Sequence, residues 1–98
     1  MFEVTLTETA RTELHRLRDD RSQAARFKAV SKAVRLLAEN PRHPGLNTHE
    51  WKGDACPHGG KLWEAYAQNN TPGAYRIFFC YPPKTMNQIL VVAITPHP

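Results

Sequence analysis

Three strand-like runs joined by short turns constrain this chain more than any other feature. Leu62–Gln68, Ala74–Tyr81 and Gln88–Thr95 are rich in aromatic and β-branched residues. Between them lie Asn69-Asn70-Thr71-Pro72-Gly73 and Pro82-Pro83-Lys84-Thr85-Met86-Asn87, both turn signals. Neither is long enough for the crossover that parallel strands require, so the three runs pair as an antiparallel meander. Ile89–Ile94 is apolar at every position, which suits a strand covered on both faces.

A sheet with an apolar face needs a cover, and the first 40 residues supply it. Phe2, Val4 and Leu6 alternate with Glu3, Thr5 and Thr7, the period of a first strand. Thr7 or Thr9 then caps a helix carrying Ala10, Leu14 and Leu17 at helical spacing, running to Asp19 or Asp20. A second helix is expected from Ser22 to Glu39, with Phe27, Val30, Val34 and Leu37 as its stripe and Ala33 beside it. Asn40-Pro41 ends it, since proline lacks the amide proton and restricts the residue before it. The fold class read from this order is α+β, β-α-α-β-β-β, a helical hairpin packed on an antiparallel sheet. Its 98 residues make one domain, 1–98. From Pro41 to Lys61 runs a connection rich in Pro, Gly and His with no clear periodicity. Connections of that length inside a small domain are often functional, although a packed inert loop fits equally well.

Hydrophobic residues make up 41% of the chain and charged ones 22%, as in a folded globular protein. The net charge is +4 and lies towards the N-terminus: residues 1–35 hold eight Arg or Lys against five acids, residues 36–98 five against four. That balance suits an acidic partner such as nucleic acid or an acidic protein segment, and equally a solvated helix face. The longest apolar run has six residues, too few to cross a bilayer, and the N-terminus has no signal-peptide pattern. The expected location is the cytoplasm. In that reducing compartment Cys56 and Cys80 are expected as free thiols, with a single disulfide as the alternative.

Three stretches carry a resemblance to a known family: Leu36-Leu37-Ala38-Glu39-Asn40-Pro41; Leu62-Trp63-Glu64-Ala65-Tyr66 with Ala74-Tyr75-Arg76-Ile77-Phe78-Phe79; and Ile89-Leu90-Val91-Val92-Ala93-Ile94-Thr95-Pro96-His97. In order and spacing they resemble the RelE/ParE toxin superfamily over nearly the whole chain. The resemblance implies the toxin of a bacterial toxin–antitoxin system, with an antitoxin protein as partner. In many such toxins the activity is metal-independent cleavage of messenger RNA on the ribosome. In the ParE branch it is poisoning of DNA gyrase without RNA cleavage, and some members have no demonstrated toxicity. Two departures are visible: Ala67 or Gln68 stands where many ribonuclease members carry an arginine, and the sequence has no helix with a catalytic tyrosine after the last strand.

Metal-free RNA cleavage needs a base for the 2′-hydroxyl, a cation for the phosphorane and an acid for the leaving 5′-oxygen. Histidine suits both proton-transfer roles. Of the five histidines, His15 reads as a helix-surface residue. His97, just after the last strand, and His49, in the long connection, match positions where ribonuclease members place such groups, and both are expected to be catalytic. Lys52 and Lys61 are the expected phosphate contacts. Arg76 is either a phosphate contact or, as the strand pattern favours, a structural partner of Glu64 on the adjacent strand. Trp51 and Tyr66 are candidates to stack on bases. No cofactor is expected. His49, Cys56, His58 and Cys80 hold zinc-type donors, but Cys56-Pro57-His58 lacks the usual knuckle spacing, so no metal is expected.

Overall fold

The computed structural model describes residues 1–98. Its elements are β1 (Glu3–Leu6), α1 (Glu8–Asp19), a 3₁₀ turn at Arg21–Gln23, α2 (Ala24–Glu39), a 3₁₀ turn at Pro44–Leu46, β2 (His49–Ala55), β3 (Lys61–Tyr66), β4 (Tyr75–Cys80) and β5 (Gln88–Pro96). The α+β class, the helical hairpin and the C-terminal meander agree with the sequence reading. Two features correct it.

First, the long connection contains a strand. β2 pairs antiparallel with β3 through His49↔Glu64, Glu50↔Trp63 and Trp51↔Leu62, and then bulges before Ala55↔Lys61. His49-Glu50-Trp51-Lys52-Gly53-Asp54-Ala55 carries one large apolar residue because β2 is an edge strand with little surface to bury, and the bulge breaks what alternation remains. Second, the sheet is mixed. Its order is β1-β5-β4-β3-β2, and β1 runs parallel to β5 with Val4↔Ile89 and Leu6↔Val91 in register. The helical hairpin carries the chain away from β1, and the four-strand meander then walks back across the sheet until β5 lies beside it. Thr7 ties the junction: its amide donates to the Val91 carbonyl at 2.9 Å and its hydroxyl to the Val92 carbonyl at 3.0 Å. The same hydroxyl oxygen caps α1 by accepting from the Ala10 amide.

Both helices lie on one face. Ala10 and Leu17 of α1, with Val30, Ala33 and Leu37 of α2, close over Ala65, Tyr75, Ile77, Phe79, Ile89, Val91 and Ile94, all buried. The alternation of β3 and β4 therefore sends Leu62, Glu64, Tyr66, Arg76, Phe78 and Cys80 to the opposite face. A bulge in β5 opposite Phe78 and Phe79 shifts its register, so that Ala93 and Thr95 join that face. No helix covers it.

Candidate functional site

Three strands bring a charged cluster together on the uncovered face. At its centre is Glu64, fully buried at 0% exposure. A carboxylate so deeply placed must be paired or hydrogen-bonded, since desolvating it alone is prohibitive. Its Oε2 accepts from His97 Nδ1 at 3.0 Å. Its Oε1 lies 2.7 Å from His49 Nε2, the residue directly opposite it on β2. The second contact is close but off the hydrogen-bond axis, so Oε1 has no aligned donor, and it is an ion pair only when His49 carries a second proton.

The two histidines differ in what their second nitrogen does. His49 Nδ1 lies 2.9 Å from the Asn47 carbonyl. That carbonyl is aimed by Asn47 itself, whose left-handed φ of 47° ends the preceding 3₁₀ turn and redirects the chain into β2. Since a carbonyl only accepts, Nδ1 carries a proton, and the Nε2–Glu64 contact is attractive only when Nε2 or the carboxyl carries another. A proton arriving between Nε2 and Oε1 would therefore turn that contact attractive. His97, by contrast, has Nδ1 committed to Glu64, and its side chain is 47% exposed. With Nδ1 so engaged, Nε2 is the ring nitrogen left to meet a substrate. His97 is anchored by its own backbone, whose amide donates to the Ala74 carbonyl at 2.8 Å.

Arg76 completes the cluster. Its guanidinium stacks 3.7 Å above the Tyr66 ring, and Nη1 donates to the Gln68 and Tyr75 carbonyls. Nε is 4.0 Å from Glu64 Oε2, too far for a hydrogen bond, and is buried without a partner. The structural pairing read from sequence is therefore present but long, and the cation is held mainly by carbonyls and the tyrosine ring. Arg76 and His97 share a recess of about 580 Å³ with the Asn69–Ala74 turn. Beyond His97 a second recess, about 440 Å³, is walled by Trp51, Leu62, Phe78 and Thr95. Trp51 sets its indole edge-on to Phe78 and to His97, with centroids 5.3 and 6.2 Å away. The largest concavity, about 890 Å³, lies elsewhere, among Phe2, Asn40–Pro44, Trp63 and Tyr81. No carboxylate lines it, and the Glu64 cluster is on the other face.

Of the residues named from sequence, the structure gathers His49, His97, Arg76, Tyr66 and Trp51. Lys52 and Lys61 are exposed and outside the cluster. Lys61 alternates with Leu62 and so takes the helix side of the sheet, the face opposite the cluster. Glu64 was legible only as a partner for Arg76; its central role follows from pairing with β2, the strand that sequence did not reveal. The one available signal was a carboxylate between Leu62 and Tyr66 on the face of a strand that is otherwise apolar.

Cys56 and Cys80 are joined as a disulfide, with Cα atoms 6.2 Å apart, in place of the expected free thiols. The tight turn after β2 causes this, folding Cys56 over the end of β4: the Cys56 amide donates to the Gly60 carbonyl, and the Gly59 amide to that of Cys56.

Comparison with protein-family models, with curated proteins and with solved structures returns no match. No helix is long and apolar enough to cross a membrane.

Proposed function

We propose that this protein is a metal-independent endoribonuclease of RelE/ParE type, the toxin of a toxin–antitoxin pair that cleaves messenger RNA in the cytoplasm. The observation that carries the reading is the convergence of His49 and His97 on one buried carboxylate, Glu64, beside a partly unpaired arginine on an open sheet face.

The chemistry follows from the proton positions. In transesterification the 2′-oxygen attacks phosphorus, the bond to the 5′-oxygen breaks, and a 2′,3′-cyclic phosphate is left. The 2′-hydroxyl proton passes to the His49–Glu64 pair. The departing 5′-oxygen takes a proton from His97 Nε2, and Glu64 Oε2 stabilises the charged His97 ring through Nδ1. Arg76, fixed above Tyr66, faces the same recess as His97 and offers charge to the phosphorane. Trp51 and Tyr66 give neighbouring bases surfaces to stack on.

The test is cleavage of ribosome-bound message by the purified chain. His97→Ala should slow cleavage by roughly 100-fold or more, the usual contribution of one proton-transfer group. Undiminished activity in a His49→Ala, His97→Ala double variant would remove the site. Intact RNA together with loss of gyrase supercoiling would favour the ParE-type reading, and harmless expression without a partner would favour a non-catalytic binding protein.

A further inference from the structure

At the far end of the same face, Cys56, His58 and Cys80 form a second cluster that the proposed cleavage does not use. Their Sγ, Nε2 and Sγ atoms all lie within 4.8 Å of one another. His58 Nε2 is 3.4 Å from Cys56 Sγ and 3.9 Å from Cys80 Sγ. A structural disulfide has no need of an imidazole, yet the polar contacts of the exposed His58 ring run to the two sulfurs. Tetrahedral zinc, with bonds of about 2.3 Å to sulfur and 2.0–2.1 Å to nitrogen, places such donors about 3.6 Å apart. The two observed sulfur–nitrogen distances bracket that spacing.

The geometry points to a redox-gated zinc site: once the disulfide is reduced, Cys56, His58 and Cys80 bind one Zn²⁺. Spacing along the chain hides the site, because two donors sit in the turn after β2 while the third comes from β4, 24 residues on. Two thiolates on one zinc stand about 3.8 Å apart, so the sulfurs must separate on reduction. Cys80 is fixed in β4, whereas Cys56 lies in the turn beyond the β2 bulge and is the half that moves. The chemistry balances with a phosphine reductant. The disulfide and one water convert the phosphine to its oxide and give two thiols, and Zn²⁺ then displaces two thiol protons. His58 coordinates through the Nε2 lone pair and keeps its proton on Nδ1. Three protein donors leave one tetrahedral position towards solvent for water. Either bond, disulfide or zinc, fastens the β2–β3 turn to the end of β4. Only the reduced, metal-free chain frees that turn.

The experiment uses the full chain, oxidised or reduced with a phosphine, titrated with Zn²⁺ against a chromophoric chelator and with Co²⁺ as a spectroscopic stand-in. The reduced chain should bind one equivalent, with thiolate-to-cobalt charge-transfer and tetrahedral d–d bands, and the oxidised chain should not. His58→Ala changes an exposed side chain, so folding is not at risk; it should weaken binding by roughly 10-fold or more, and Cys56→Ser by roughly 100-fold or more. No binding after reduction, binding without thiolate bands, or equal affinity in Cys56→Ser would overturn the site.

Discussion

Glu64 is the residue on which the cluster turns. It meets two histidines and lies 4.0 Å from a buried arginine, and its own exposure is nil. Glu64→Gln keeps the volume and removes the charge. On the proposed mechanism, cleavage should then fall by roughly 100-fold or more, because neither histidine retains its counter-charge. Stability should drop by roughly 1–3 kcal/mol, the worth of hydrogen bonds to a charged group. Denaturant unfolding beside single-turnover cleavage separates the two effects: a loss of stability with full cleavage would make Glu64 purely structural. Arg76→Lys tests the flat guanidinium. Lysine keeps the charge but cannot reproduce the planar stack on Tyr66 or the paired carbonyl bonds, so the proposed cleavage should fall although the charge is kept, and full cleavage would remove Arg76 from the site.

Among the elements, α1 is fastened to β4 by a small polar network. The Tyr75 hydroxyl donates to Glu13 Oε2 at 2.6 Å, and Arg16 Nη2 donates to the same hydroxyl at 3.1 Å. The hydrogen bond from Arg16, helped by that from Tyr75, holds the Glu13 carboxyl below its ordinary value of 4.5. Burial, reinforced by the bond to Glu13, holds the Tyr75 phenol above its ordinary 10.0. The signs give two limits. The Glu13 contribution is complete above pH 4.5 and is lost as pH falls through the depressed folded value; the Tyr75 contribution is complete below pH 10 and is lost as pH rises through the raised one. Unfolding midpoints measured across pH should therefore fall at both ends. Glu13→Gln should shrink the acid loss and Tyr75→Phe the alkaline loss, leaving the shares of Asp19 and Asp20 at the acid end and of Tyr81 at the alkaline end; a Tyr75→Phe profile identical to the parent's at high pH would place the alkaline loss elsewhere. The apolar stripe of α2 carries more. Leu37→Ala, at a fully buried position, should cost about 2–5 kcal/mol in urea unfolding.

At the scale of the whole molecule, the Cys56–Cys80 bond closes a loop that runs from the β2–β3 turn through β3 to the end of β4, a sequence separation of 24. Loop entropy makes such a crosslink worth roughly 3 kcal/mol. Reduction in a chelator should lower unfolding stability by about that amount. If unfolding is unchanged by reduction, the bond does not constrain the unfolded chain.

Local rules made much of this architecture readable. The stripe Phe27, Val30, Ala33, Val34, Leu37 could bury itself only as a helix face, Asn40-Pro41 could not continue that helix, and the turns after Gln68 and Tyr81 were too short for anything but antiparallel pairing. Histidine chemistry gave five candidates, and His49 and His97 could be named only through the resemblance, whose ribonuclease members place proton-transfer groups at those positions. The sequence carried no account of their meeting. His49 reaches Glu64 through cross-strand pairing by an edge strand too polar to announce itself. His97 reaches it because β5 lies beside β4, and β1 joins β5 in parallel although the whole chain separates them. Periodicity is a property of neighbours in sequence and fixes which face a residue takes. Which strand lies beside which is settled by burial summed over the assembled sheet, and so the carboxylate between two histidines, and the imidazole over two sulfurs, exist only in the folded chain.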